Sequence, residues 1–255
     1  MATSALVTHC GARLVERAEL EKVEAPPATA TWFPVRHATV IDTVAQSLTA
    51  SGFEVKASKF ALSRGDARLF STIDLATPLG SGVSLAVGVR NSTDKSLPLG
   101  FIAGSRVFVC DNLAFRSELL VRRKHTRFGR ERFAEAICQA VRSLTQFQEA
   151  EAERIRRMRH FELTSVRAES LMLRAYEDGV VSHRSLPRVI KEWREPSFEE
   201  FSERTLWSLF NAFTLILGER QKSDPQRFAA LTVRLQDLLG REAGLSAETV
   251  PTTAA

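Results

Sequence analysis

The amino-acid sequence predicts an α+β fold: an N-terminal helix, an antiparallel β-sheet of about four or five strands, then a C-terminal helical half. Three observations carry that expectation. Val40, Val44 and Leu48 recur at intervals of four, which places them on one face of a helix. From Phe53 the period changes to two, and the runs that follow are joined by connections too short for parallel crossovers. From Arg130 the helical period returns, with Phe133, Ile137, Val141 and Leu144 on one face.

Taken in order, Val35 to Ser51 reads as the opening helix, stopped by Ser51 and Gly52. Phe53, Val55 and Ala57 alternate with Glu54, Lys56 and Ser58 as a strand, and Arg64 to Asp66 supply a turn into the run from Ala67 to Leu75. Val83 to Arg90 is a β-branched run, Asn91 to Ser96 a polar turn, and Leu99 to Gly104 and Arg106 to Cys110 complete an antiparallel meander. One long helix is expected from Arg130 through Met158 to Arg159. Further helices are expected over Val166 to Tyr176, Pro187 to Trp193 and Phe198 to Leu217, the last with Ser197 and Glu200 spaced as a capping box. Asp224 and Pro225 open a final helix that closes before Gly240. Residues 1–30, with a short charged piece and adjacent prolines, read as a flexible arm, and 242–255 as a disordered tail. The folded body is then 31–241, sheet-rich over 31–115 and helical over 130–241.

Composition excludes several classes. At 44% hydrophobic and 25% charged, the 255 residues are neither low-complexity nor fibrous. The start of the chain lacks the basic flank and apolar stretch of a secretory signal, and the apolar run Thr205 to Gly218 is shorter than the ~20 residues needed to span a bilayer. No membrane association is expected. Three cysteines without C-x-x-C spacing point to a reduced, cytoplasmic setting. The five histidines lack the spacing of a zinc pair, no phosphate-binding glycine loop is present, and Gly80 and Gly82 precede a strand, so no metal and no cofactor are expected. No catalytic residue is assigned. Ser92 and Lys95 have the spacing of a serine–lysine pair but fall in a turn, and Cys110 at a strand end reads as a small buried hydrophobe.

Charge is the informative feature. The chain has 35 basic and 30 acidic side chains, an excess of five, and a pI near 9.4. Between Arg116 and Arg132 stand Arg116, Arg122, Arg123, Lys124, Arg127, Arg130 and Arg132 against only Glu118 and Glu131, so this segment alone equals the whole excess. Guanidinium forks bind phosphate oxygens bidentately, and clustering them favours counterion release from a polyanion. Phe115 and Phe128 lie within the cluster and are placed to stack on unpaired bases. The plainer reading is a solvated connector between sheet and helix. A second basic group at Arg154, Arg156, Arg157 and Arg159 follows Glu149, Glu151 and Glu153 and reads as a solvated helix face.

Three stretches carry a resemblance: the turn with Asn91, Ser92 and Asp94, the strand end with Cys110 and Asn112, and the helix with Trp207, Asn211 and Thr214. Together they resemble the phage- and plasmid-borne proteins grouped as domain of unknown function family 932, over roughly residues 90 to 215. The resemblance implies a mobile-element setting and brings no established reaction. By residue type, Asn91, Ser92 and Asp94 are turn formers, whereas Asn211 on an apolar helix must satisfy its carboxamide. The order of helix, antiparallel hairpins and helix is also similar to the core of single-strand annealing proteins, an analogy of topology only.

The leading expectation is a non-enzymatic nucleic-acid-binding protein that favours single-stranded DNA. Its contacts would be Arg116, Arg122, Arg123, Lys124, Arg127, Phe128 and Arg130. The alternative is an interaction or assembly protein forming a homo-oligomer. A third reading is an enzyme using Asn91, Asp94, Cys110 and Asn112.

Overall fold

The computed structural model describes residues 12–107, 112–218 and 225–244. Six antiparallel strands form one meander in chain order: β1 (Arg13–Val15), β2 (Val55–Leu62), β3 (Arg68–Gly80), β4 (Val83–Ser92), β5 (Leu99–Val107) and β6 (Asn112–Arg123). Between β1 and β2 lie α1 (Arg17–Glu21) and α2 (His37–Ala50). After β6 come α3 (Gly129–Arg142), α4 (Leu144–His160), α5 (Ser165–Glu177), α6 (Leu186–Arg194), a 3₁₀ turn (Glu199–Phe201), α7 (Leu206–Gly218) and α8 (Pro225–Glu242). The architecture is α+β.

Among the described residues the sheet has six strands, more than the four or five expected: the runs expected from Leu99 and from Arg106 are one strand, β5, and the additions are the two edges. β1 comes from the stretch read as an arm, where three residues are too few to display alternation, and the same stretch buries Leu20 in the core. β6 comes from the segment read partly as a connector. Its pairing with β5 slips between Ile102 and Gly104, and such an irregularity breaks the period of two by which a strand is recognised. The long helix expected from Arg130 is two, because Ser143 closes α3 and opens α4. The helix expected from Phe198 begins only at Leu206. Leu163 donates to the Arg204 carbonyl, Leu206 to that of Phe161, and Glu162 bridges Thr205, so this stretch runs extended beside the end of α4. Ser197 turns back to bond the Glu192 carboxylate instead of forming the capping box. α8 runs through Gly240 to Glu242.

The register sorts the strand residues into two sets. Ile73, Val87 and Ala103 form a cross-strand row, as do Ser71, Val89 and Phe101, and these rows join the main core. Around that core α2 packs on β2 and β4, α4 on β3, and α3, α7 and α8 on β6. The opposite face is built from small and polar residues: Thr72, Asp74, Ser84, Ala86, Gly88, Gly100 and Gly104. Its apolar members form a separate small cluster, Ala61 and Ala86 with Ala12, Phe70 and Ile102.

On that second face Arg106 crosses β4 and places Nε 2.6 Å from Oδ1 of Asp74, with Thr72 Oγ1 3.4 Å from its Nη2. Ser84 and Ala86 on β4 are small enough to let the guanidinium pass. Arg106 is 2% exposed, so removing it strands a buried carboxylate, which costs far more than the pair gains over an apolar isostere. On the core side Glu151 of α4 accepts from Arg154 at 2.6 Å and from Ser105 of β5 at 3.2 Å, tying helix to sheet.

The start of α2 is pinned by a buried network. Asn91 Nδ2 donates to the Val35 carbonyl at 2.7 Å and lies 3.0 Å from His37 Nδ1, while His37 Nε2 lies 3.0 Å from the Asp66 carbonyl. These partners fit the neutral imidazole with its proton on Nε2. Burial pushes His37 below its usual range and does the same to His125.

Two outcomes follow for stability. Arg106→Met is expected to lower unfolding free energy by about 3–5 kcal/mol, read from urea midpoints, and an unchanged midpoint would contradict the role given to the pair. Because both histidines titrate lower folded than unfolded, the unfolded chain takes up protons first. Stability is therefore full above about pH 6.5 and falls as pH drops below it. Urea midpoints measured at pH 7 and pH 5 should show that fall, with a shallower slope in His37→Gln.

Candidate nucleic-acid interface

β6 ends in Arg122 and Arg123, paired with Gly100 and Leu99 of β5. Alternation sends the two side chains to opposite faces, Arg122 to the small-residue face, where it is exposed. Arg123 is half-buried and bonds the Arg122 carbonyl. The chain then makes a tight loop before α3. His125 turns inward, its carbonyl accepting from Phe33 N and its ring 6.4 Å from that of Trp32. Thr126 N donates to the Lys124 carbonyl and Gly129 N to that of Thr126. A Cβ on Gly129 would stand 2.5 Å from the Lys124 carbonyl oxygen, so the loop needs glycine there.

This geometry turns Lys124, Arg127, Phe128 and Arg130 outward, all exposed. Phe128 is 56% exposed, a high value for a phenyl ring. The guanidinium carbons of Arg127 and Arg132 lie 5.8 and 6.0 Å from its centroid, so cations flank an open aromatic face. Arg130 and Arg132 stand in the first turn of α3, where the helix dipole disfavours cations and attracts an anion.

Many of the other surface arginines are paired, Arg13 with Glu19, Arg17 with Asp42, Arg68 with Asp94, Arg156 and Arg157 with Glu153, Arg167 with Glu242, and Arg194 with Glu169. Arg64, Arg142, Arg174, Arg184 and Arg234 are exposed, scattered along the chain and without a carboxylate partner among the described residues. Among the described residues, Arg122, Arg123, Lys124, Arg127, Arg130 and Arg132 have no carboxylate at ion-pairing distance. Two further cations belong to this end of the sheet and escape sequence reasoning. Lys95, with φ of 65°, holds its ammonium 5.1 Å from the Trp32 ring, and Arg90 of β4 shares a row with Gly100 and Arg122. Arg116 and Phe115 have their backbones in β6, with Phe115 opposite Gly104.

The residues behind the resemblance separate into two places. Asn91, Ser92 and Asp94 lie at the basic end and are engaged in structure. Ser92 Oγ donates to the Leu97 carbonyl and accepts from its amide, both at 2.9 Å. Asp94 accepts from the Ser96 amide and hydroxyl and from Arg68 Nε. Against the upward pull of burial, the Ser96 bonds and Arg68 hold its carboxyl down to about 2. Lys95 points to Trp32, so Ser92 and Lys95 do not form a nucleophile–base pair. Cys110 lies outside the described residues, and Asn112 opens β6 opposite Val107.

Trp207, Asn211 and Thr214 are buried on α7 at the other side of the molecule. Asn211 Nδ2 donates to the Trp207 carbonyl, one turn back, and Thr214 Oγ1 to that of Asn211. Beside Trp207 is a cleft of about 220 Å³ that Val107, Glu203, Thr205 and Ser208 help to line. Arg159 enters it, donating to the Ser81 carbonyl at 2.7 Å and lying 5.4 Å over the Trp207 ring. The second basic group is thus divided: Arg156 and Arg157 are solvated as expected, whereas Arg154 is buried with Glu151 and Arg159 is half-buried in this cleft. The eight steps of β5 from Leu99 to Val107 separate the two ends by roughly 27 Å.

Among the described residues no group of three or more His, Cys, Asp or Glu side chains is placed to hold a metal ion, and no helix is long and apolar enough to cross a membrane. Neither a curated protein nor a solved structure matches the chain. One family model does, described as Domain of unknown function (DUF932), over residues 28–239. That span takes in both ends of the sheet, α2 with its buried His37, and most of α8, well beyond the three stretches that carry the resemblance. On this coverage the chain belongs to the DUF932 family.

Proposed function

We propose that this protein binds single-stranded nucleic acid, DNA in the first instance, through the basic platform at the β6–α3 junction. The observation that carries the reading is the clustering of cations without carboxylate partners from Arg122 to Arg132 around an exposed Phe128. Cations held at a surface without carboxylates are free to neutralise phosphates, and an aromatic ring between them offers a stacking face to a base that is not already paired. Binding of this kind needs no bond chemistry, so the role proposed is non-enzymatic. A cytoplasmic setting in a phage- or plasmid-derived system and a homo-oligomeric state complete the proposal.

A second reading has its own observation. Val166, Leu173 and Tyr176 of α5 are exposed, Val166 at 78%, and the first two share a helix face seven residues apart. That stripe favours an assembly role through α5, in which the basic platform is only a connector.

The triple variant Arg122→Ala, Arg123→Ala, Arg127→Ala separates them. With ~0.7 counterions released per single-strand phosphate contact, the slope of log K against log salt should fall by about 2, with a large loss of affinity and an unchanged fold. Unchanged affinity would refute the nucleic-acid reading, and a defined oligomer by light scattering without any DNA affinity would favour assembly. Phe128→Ala should cost about 1–3 kcal/mol of single-strand affinity and leave duplex affinity near that of the parent protein.

A further inference from the structure

Resting on the nucleic-acid reading, we propose that Arg90 and Arg122 form a two-arginine clamp on the small-residue face of the sheet, taking a phosphodiester group of the strand held at the β6–α3 platform. The register supplies the geometry. Phe70, Arg90, Gly100 and Arg122 occupy one cross-strand row through β3, β4, β5 and β6, so only a glycine stands between the two arginines. With strands ~4.8 Å apart, their Cα atoms are about 10 Å apart, within the reach of two guanidinium groups converging on one anion.

Gly100 is required for this arrangement. A Cβ there would stand 2.8 Å from both Cγ and Nε of Arg90, so the arginine stem lies directly over the glycine. The stem position is explained by packing, but the head group is not. Arg90 is half-buried, and among the described residues it has no carboxylate partner. Burial pushes its guanidinium below the usual range, and the charge of Arg122 adds to the effect.

The other sequestered arginines differ. Arg106 has Asp74, Arg154 has Glu151, and Arg159 has the Ser81 carbonyl and the Trp207 ring. Arg90 loses water beside the like charge of exposed Arg122, which is unfavourable until an anion joins them, and a phosphodiester presents two oxygens to two forks. The site is also continuous with the platform, since Arg122 belongs to both and Arg123 and Lys124 follow it in the chain. A strand whose base stacks on Phe128 therefore has its neighbouring backbone led onto the sheet. This continuity favours a polymer over a free anion.

The test compares Arg90→Ala, Gly100→Ala and Arg127→Ala by anisotropy with a labelled oligothymidylate over a salt series, with circular dichroism as the check on folding. Arg90→Ala should weaken binding about tenfold and lower the salt slope by about 0.7. Gly100→Ala keeps every charge but displaces the Arg90 stem, and should weaken binding to a similar degree. If Gly100→Ala does not fold, Arg90→Lys replaces it, keeping the charge without the fork, and is expected to recover only part of the affinity. Parent-like binding by Arg90→Ala alongside weakened Arg127→Ala overturns the clamp and leaves the platform reading standing. Parent-like binding by all three, or no binding by the parent protein, overturns both. Melting curves with pyrophosphate supply the remaining arm. A stabilisation that Arg90→Ala abolishes while its DNA affinity is unchanged would assign the pair to a free anion and overturn its role in strand binding.

Discussion

Strand β4 carries the constraint on which the rest of the molecule depends. From Val83 to Val89 every residue is buried, on both faces, and β3 and β5 hydrogen-bond along its two sides. A slip of one residue would turn Val83, Leu85, Val87 and Val89 from the helix-covered core onto the face that holds Thr72, Asp74 and Arg106. The register is thereby fixed in both directions, and each cross-strand row follows from it. Asp74 reaches Arg106 because β4 offers small residues between them, and Arg90 reaches toward Arg122 because β5 offers Gly100. Near its end the same strand carries Asn91, whose carboxamide anchors the start of α2 through Val35 and His37.

The two faces use charge differently. Toward the helices, Glu151 and Arg154 are buried together, a pair that satisfies itself and Ser105. On the other face one arginine, Arg106, is matched and another, Arg90, is not. The difference runs along the sheet from its closed end near Val107 to its basic end near Leu99. Beyond that end the loop from Lys124 to Phe128 is held by the inward turn of His125 and by Gly129, so its cations are placed by the fold and do not merely follow one another in sequence. A positioned array of this kind binds a backbone with less ordering cost than a flexible basic tail.

Much of this organisation was legible in the sequence where it is local. The helix periods of α2, α5 and α6 and the start of α8 at Pro225 need only a few neighbouring residues to be recognised, whereas β2 is a strand without the expected alternation, Val55 to Ser58 all being exposed. What escaped is what tertiary structure imposes. Three residues of β1 form a strand only because β2 is beside them, the slip opposite Ile102 hides β6, and the bridge between Glu162 and Thr205 delays α7 to Leu206. The basic segment could be counted directly, whereas Lys95 and Arg90 join it through an aromatic contact and a strand register that link residues far apart in the chain. Asn91 and Ser92, expected in a polar turn, instead close β4 by pairing with Leu69 and Arg68, and the buried histidine partner of Asn91 carried no sequence signal.

The central claim is that the β6–α3 platform binds single-stranded nucleic acid electrostatically. Its most direct test is an anisotropy titration of the purified, nuclease-treated protein with labelled single-stranded and duplex DNA at low and moderate salt. For five phosphate contacts the account predicts single-strand affinity falling roughly 100-fold between about 50 and 200 mM salt, with duplex bound more weakly. Absence of binding at the lower salt, or binding indifferent to salt, would contradict it.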